Sequence, residues 1–154
     1  MSTPIRWGIL GPGSIANQFA KGLQAAPDGQ LVAVGSRDLR RAEAFAEQYD
    51  APNRHGSYEE LVADPEVDAI YVATPHPFHK ENSILCIEAG KAVLCEKPFT
   101  VNAAEAAEIV AVARAKNVFL MEAMWSRYLP IIVQVRKWLD EGTIGIPLQV
   151  NADF

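Results

Sequence analysis

The sequence predicts an α/β protein built on a doubly wound parallel sheet, and three observations point there. Short β-rich runs alternate with longer helix-period segments along most of the chain, the pattern of parallel strands joined by helical crossovers on both faces. The first apolar run, 5–10, leads straight into Gly11-Pro12-Gly13-Ser14-Ile15-Ala16, a G-x-G-x-x-A turn that opens a helix. The 154 residues are 49% hydrophobic, enough to bury one sizeable core.

The elements follow in order. After the first strand, Gly11 suits the tight turn, Gly13 lets backbone approach a pyrophosphate with no Cβ between them, and Ala16 keeps the helix close to the sheet. Ile15, Phe19 and Leu23 recur every four residues, and that helix ends near Pro27-Asp28-Gly29. Further strands are predicted over 30–36, 53–55, 69–73, 92–95 and 118–122. Between them, Leu39, Ala42, Phe45, Ala46 and Tyr49 form one apolar stripe. Ser57 with Glu60 reads as a capping box, as does Asn102 with Glu105, which starts an alanine-rich helix burying Ala106, Ile109, Val110 and Ala113. A helix after Pro77 runs through Ile84, Leu85 and Ile87 and stops at Gly90. Residues 1–124 therefore read as one nucleotide-binding domain of the Rossmann type. Residues 125–154 read as a connecting helix over 130–141, a turn-rich break, and a strand over 148–154 that opens a second domain.

Composition narrows the function. A net charge of −5 argues against nucleic acid, which needs clustered Lys and Arg. No apolar stretch approaches the roughly 20 residues that span a bilayer, and the opening residues lack the regions of a signal peptide, so a cytoplasmic location is expected. Cys86 and Cys95 are too few for a disulfide scaffold, lack zinc-ligand spacing, and read as core thiols. No metal is expected, because His76 and His79 have no accompanying carboxylate or cysteine cluster.

The glycine turn puts an anion at the amino end of a helix, where unpaired N–H groups and the helix dipole favour negative charge. NAD-preferring sheets of this kind carry an acid at the end of the second strand, whereas a 2'-phosphate needs cations or hydroxyls. Here Ser36 stands at that place, followed by Arg37 and, one turn on, Arg41, so NADP is expected over NAD. The competing reading makes Arg37, Arg40 and Arg41 a solvated helix face with Arg40 paired to Glu43, and a two-residue shift would make Asp38 the ribose-binding acid.

Ligands of open parallel sheets lie outside the carboxyl ends of the strands. Two such ends stand out. Ala73-Thr74-Pro75-His76-Pro77-Phe78-His79 carries two prolines that fix the chain, and Cys95-Glu96-Lys97-Pro98 puts an ammonium beside a rigid proline, where it could hydrogen-bond a substrate hydroxyl and depress the pKa of a neighbouring acid. The competing reading makes Lys97 a surface lysine paired to Glu96. Trp125 and Arg127 read either as a hinge leaving the sheet or as a wall of the cofactor pocket.

Taken together, GPGSIA, ATPHPFH, CEKP and MEAMWSR resemble the glucose-fructose oxidoreductase, inositol dehydrogenase and rhizopine-catabolism family. Residues 35–41, 55–61, 90–98 and 119–127 resemble its dihydrodiol and NADP-dependent xylose dehydrogenase branch. The resemblance covers nearly the whole chain but only the first half of such an enzyme. It implies hydride transfer between nicotinamide and a carbon bearing a hydroxyl on a sugar, polyol or dihydrodiol. It also implies that Lys97 positions the substrate and tunes the acid/base residue. Gly11, Gly13, Ser14, Ile15, Ser36, Arg37, Arg41, Thr74, Pro75, His76, His79, Glu96, Lys97, Trp125 and Arg127 then line or neighbour the cofactor. Relatives carry the acid/base residue, a tyrosine or histidine, in a second domain, so this chain is expected to bind NADP(H) and turn over poorly or not at all. A full-length protein is expected to be a homo-oligomer. Two other classes remain open at this stage: a non-catalytic module sensing NAD(P)H, and a Rossmann enzyme using another nucleotide.

Overall fold

The computed structural model describes residues 3–151, which form two compact units, one ending at Ala123 and the other starting at Met124. The first unit carries six parallel strands, β1 (Ile5–Leu10), β2 (Gly29–Gly35), β3 (Asn53–His55), β4 (Ala69–Val72), β5 (Ala92–Cys95) and β6 (Leu120–Glu122), in the order β3-β2-β1-β4-β5-β6. The order reverses between β1 and β4, where crevices form above the strand ends in such sheets. Five helices cross over between the strands: α1 (Ser14–Gln24), α2 (Leu39–Gln48), α3 (Tyr58–Ala63), α4 (His79–Glu88) and α5 (Ala103–Lys116).

Alternation along the strands divides the core in two. Ile9, Val34 and Tyr71 pack with Ala16 and Ala20 of α1 and with Ala42, Phe45 and Ala46 of α2. Leu10, Ile70, Val72 and Val93 face the other way, toward Leu61 of α3, Ile87 of α4 and Ile109 of α5. The buried face of α1 is thus Ala16, Ala20 and Leu23, while Ile15 is exposed and Leu39 likewise lies outside the α2 stripe. Alanines let a helix approach the sheet more closely than the Ile15-Phe19-Leu23 spacing allows. Cys86 and Cys95 are buried free thiols; burial raises both, Cys95 to about 12.

Both expected helix caps are present. The Glu60 amide donates to Ser57 Oγ (3.1 Å) and the Glu105 amide to Asn102 Oδ1 (3.0 Å). In each case the glutamate side chain reaches one residue beyond the cap, to the amides of Gly56 and Val101. The sixth strand starts later than residue 118, because Asn117 adopts a left-handed conformation (φ 53°) and the Val118 amide is spent on Ala113 O, closing α5. Ser36 falls just past β2, and residue 73 just past β4.

A polar clamp fixes the β3 edge. Asp64, buried at the end of α3, accepts hydrogen bonds from Asn53 Nδ2 (2.8 Å), His55 Nε2 (2.9 Å) and the Glu66 amide (2.8 Å). Desolvation opposes its ionisation, but these donors outweigh it and hold the carboxyl below its ordinary range. A depressed folded pKa gives stability that is present above the unfolded value of about 3.9 and lost as pH falls through the folded one. Asp64→Asn is therefore expected to cost about 1–3 kcal/mol in chemical denaturation at neutral pH. The gap to the parent protein should close below about pH 4; a constant gap down to acid pH would show that the charge is not what matters.

The second unit holds a 3-10 turn, Trp125–Tyr128, and α6 (Pro130–Asp140), which starts on a proline whose missing N–H costs nothing there. Gly142 (φ 69°) follows its end. The predicted strand over 148–154 is corrected for 148–151, which pair with no other strand; 152–154 lie outside the described residues. Apolar alternation alone forms no strand without a neighbour for its backbone groups.

Candidate dinucleotide site

The turn from β1 into α1 has the backbone that the glycine spacing predicts. Gly11 sits at φ 86°, and a Cβ there would meet Thr74 Cγ2 at 2.9 Å, so only glycine fits without strain. Its amide donates to Gly35 O at 3.0 Å, pinning the turn across β2. Gly13 is extended, and a Cβ on it would meet no protein atom within 4 Å. No side chain caps α1 and no acidic residue lies in its first turn, so the positive end of the helix faces open space. That cradle fits a pyrophosphate.

At the end of β2, Ser36 is buried, and its Oγ accepts from the Asp38 amide at 3.2 Å, leaving the hydroxyl proton for another acceptor. Asp38 itself caps α2, accepting from the Arg40 amide at 3.1 Å, and its carboxylate pairs with Arg40 Nε at 3.5 Å. Arg40 therefore pairs with Asp38 rather than Glu43, and Asp38 is engaged with its own helix. Arg41 Nη2 donates to Pro12 O at 3.1 Å, tying α2 to the glycine turn. The Arg37 guanidinium lies 5.8 Å from the centre of the Phe78 ring. Gly11, Gly13, Ser14, Ile15, Ser36, Arg37, Arg41, Thr74 and Pro75 line one crevice of about 610 Å³, together with Tyr58 and with Asp38, the acid of the competing reading. A second hollow of about 590 Å³ adjoins it and shares Arg37, Tyr58, Thr74 and Pro75.

The ends of β4 and β5 are stapled together. His79, 1% exposed, has Nε2 2.7 Å from Thr74 O and Nδ1 2.9 Å from Pro98 O. It lines neither crevice, and with each nitrogen within hydrogen-bonding distance of a backbone carbonyl it joins the two turns that follow β4 and β5. His76 is exposed in the 3-10 turn His76–Phe78. Thr74 Oγ1 accepts from buried Asn82 at 3.1 Å. Glu96 is buried; one carboxylate oxygen accepts from the Tyr71 hydroxyl in a short hydrogen bond and the other from the Lys97 amide at 3.0 Å. Burial first, and then the Glu96 carboxylate, push the Tyr71 phenol above its ordinary range and keep it a donor. The Phe99 amide donates to Glu122 Oε1 at 3.0 Å. Lys97 is exposed, and among the described residues its ammonium has no hydrogen bond or ion pair, so the expected alternative of a Glu96 partner is not met. Trp125 and Arg127 lie in the 3-10 turn of the second unit.

Sequence reading missed Tyr58, Phe78, Asn82 and Tyr71. Tyr71 left a signal: a hydroxyl in the apolar run AIYVA must find a buried partner. Among the described residues no group of three or more His, Cys, Asp or Glu is placed to hold a metal ion.

Comparison with known proteins agrees with this architecture. The chain is 53% identical over 152 residues to mouse (Mus musculus) trans-1,2-dihydrobenzene-1,2-diol dehydrogenase, covering 97% of this chain and 46% of that protein. It spans less than half the length of the curated relatives it matches. A 3-ketoreductase from Actinomadura kijaniata solved with NADP superposes with a TM-score of 0.85 at 37% identity, over 93% of this chain and 46% of that one. An NAD-binding oxidoreductase from Klebsiella pneumoniae gives 0.88 at 30% identity, over 93% and 40%. A family model also matches residues 5–124, and the chain belongs to that family, the oxidoreductases with an NAD-binding Rossmann fold typified by glucose-fructose oxidoreductase and inositol dehydrogenase.

Proposed function

We propose that this chain is the nucleotide-binding portion of an NADP-dependent dehydrogenase that oxidises or forms a CH–OH group on a small sugar, polyol or dihydrodiol. The observation that carries it is the single rim above the strand ends, where a hydroxyl with two guanidinium groups after β2, an uncapped helix start after β1, and after β5 an ammonium unpaired among the described residues follow one another across the sheet. The domain reading follows the same line: 1–124 bind the nucleotide and 125–154 lead into a second domain. Homo-oligomerisation of a full-length protein belongs to this proposal, as does a cytoplasmic location, which suits two buried free thiols. Among the described residues no helix is long and apolar enough to cross a membrane.

Each residue has a stated part. The first-turn amides of α1 would hold the pyrophosphate, and Gly13 would let it approach. Ser36, Arg37 and Arg41 would hold a 2'-phosphate by one hydroxyl and two forked cations. The nicotinamide, when bound, supplies a hydride acceptor or donor. Lys97 would donate a hydrogen bond to the substrate hydroxyl, which favours its deprotonated form and lowers its pKa. The acid/base group that takes the proton belongs to the proposed second domain. The dihydrodiol dehydrogenase name of the relatives and the NADP in the ketoreductase structure support this reading.

Fluorescence titration with NADPH and NADH tests it. NADPH is expected to bind roughly tenfold or more tightly, since charge-assisted hydrogen bonds discriminate on that scale. Equal affinities would overturn the phosphate reading. Arg41→Ala should weaken NADPH by roughly tenfold or more while leaving NADH within about twofold; parallel losses would mean that Arg41 serves only the glycine turn through Pro12.

A further inference from the structure

Tyr71 lies in a central strand whose four residues are all buried, yet it carries a hydroxyl. Its ring has little freedom. It is stacked on Phe19 of α1, with centroids 4.0 Å apart and planes 13° apart, and Trp7 meets Phe19 edge-on at 5.2 Å. A ring fixed in this way directs its hydroxyl to one place, the Oε1 atom of Glu96. The second oxygen of Glu96 accepts from the Lys97 amide. Each oxygen is thereby committed, and the carboxylate forms no ion pair with the ammonium of the very next residue.

We propose that Tyr71 is a positioning residue for Lys97: its hydroxyl holds the Glu96 carboxylate against the Lys97 amide and so keeps the Lys97 ammonium unpaired at the rim. This rests on the reading of Lys97 as the group that meets the substrate hydroxyl. Among the described residues no other donor serves Glu96 Oε1. Without the phenol, a buried carboxylate oxygen is left unsatisfied, at a substantial desolvation cost. The cation adjacent in the chain is that of Lys97, and turning toward it relieves the cost while withdrawing the ammonium from the substrate.

The test reads the ammonium directly. Acetylation by an N-hydroxysuccinimide ester, followed by peptide mass spectrometry, gives the rate at Lys97 relative to that at exposed Lys21. Tyr71→Phe is expected to slow Lys97 roughly two- to fivefold, the range an exposed ion pair contributes, with Lys21 unchanged. The double variant Tyr71→Phe/Glu96→Gln should return Lys97 to within about twofold of the parent rate, because the amide carries no charge to pair. Glu96→Gln alone should leave it within the same range. A merely structural role for Tyr71 would lower the melting temperature without singling out Lys97. An unchanged Lys97 rate in folded Tyr71→Phe overturns the proposal, and so does a double variant as slow as Tyr71→Phe. So does a several-fold acceleration in Glu96→Gln, which would reveal a pre-existing pair; this arm decides on its own if Tyr71→Phe does not fold. A parent protein that fails to bind NADPH sinks the cofactor reading but leaves this labelling pattern intact, so the two failures are distinguishable.

Discussion

Lys97→Ala, made in a full-length protein that carries this chain, is expected to lower kcat by roughly two to four orders of magnitude, the range over which a positioned proton-handling group acts. NADPH affinity should change by less than about threefold, because in the proposed reading the phosphates would be held elsewhere on the rim, by the α1 amides and the Arg37 and Arg41 guanidinium groups. The asymmetry comes from the fold: β1 leads into an uncapped helix start and β2 into Ser36, Arg37 and Arg41, while β5 leads to an ammonium with no partner among the described residues. Steady-state kinetics with a parallel NADPH titration checks both halves. A protein that only senses NAD(P)H has no use for the ammonium, so function preserved in Lys97→Ala would favour that reading. A Kd that rises as far as kcat falls would place Lys97 in cofactor binding instead.

The second large effect separates binding from folding at one position. In Gly13→Val the new Cβ meets no protein atom, and the extended backbone at Gly13 suits a β-branched residue, so the fold loses no more than the cap preference of about 1 kcal/mol. The pyrophosphate of NADPH, in the proposed reading, would need the space that the side chain fills. Loss of two charge-assisted contacts to helix amides predicts an affinity roughly a hundredfold lower or worse. Thermal melting without ligand, beside a fluorescence titration, tells the two apart. An unimpaired titration would mean that the pyrophosphate does not lie over Gly13.

The sheet, the glycine turn and both helix caps were legible because each rests on local rules: alternation, positive φ at Gly11, and a serine or asparagine placed three residues before a glutamate. Tertiary contacts decided the rest. The Ile15-Phe19-Leu23 spacing has the helical period but only part of the buried face: Leu23 is buried and Phe19 packs on the core, but Ile15 is exposed and the small side chains Ala16 and Ala20 meet the sheet instead. The sixth strand is shorter than its apolar run because Val118 closes α5. Residues 148–151 alternate like a strand without pairing as one. At the site, His79 looked like any histidine beside a ligand loop, and only the fold shows that its two nitrogens face the backbone carbonyls of Thr74 and Pro98, which lie on different turns. Lys97 was legible by its place at a strand end; the Tyr71–Glu96 bond that sets its neighbour's direction spans 25 positions and leaves no local pattern.

The turn at residues 97–99 has a thermodynamic consequence. Glu96 fixes the peptide that enters Lys97, and His79 and Glu122 hold the carbonyl and the amide of the peptide between Pro98 and Phe99. A turn already anchored at both ends loses little freedom when a ligand arrives, so the ordering entropy that weakens association with floppy lids is largely absent from this part of the rim. Preorganisation of this sort serves binding and catalysis alike, because the geometry is ready before the reactants meet rather than assembled at the expense of their affinity.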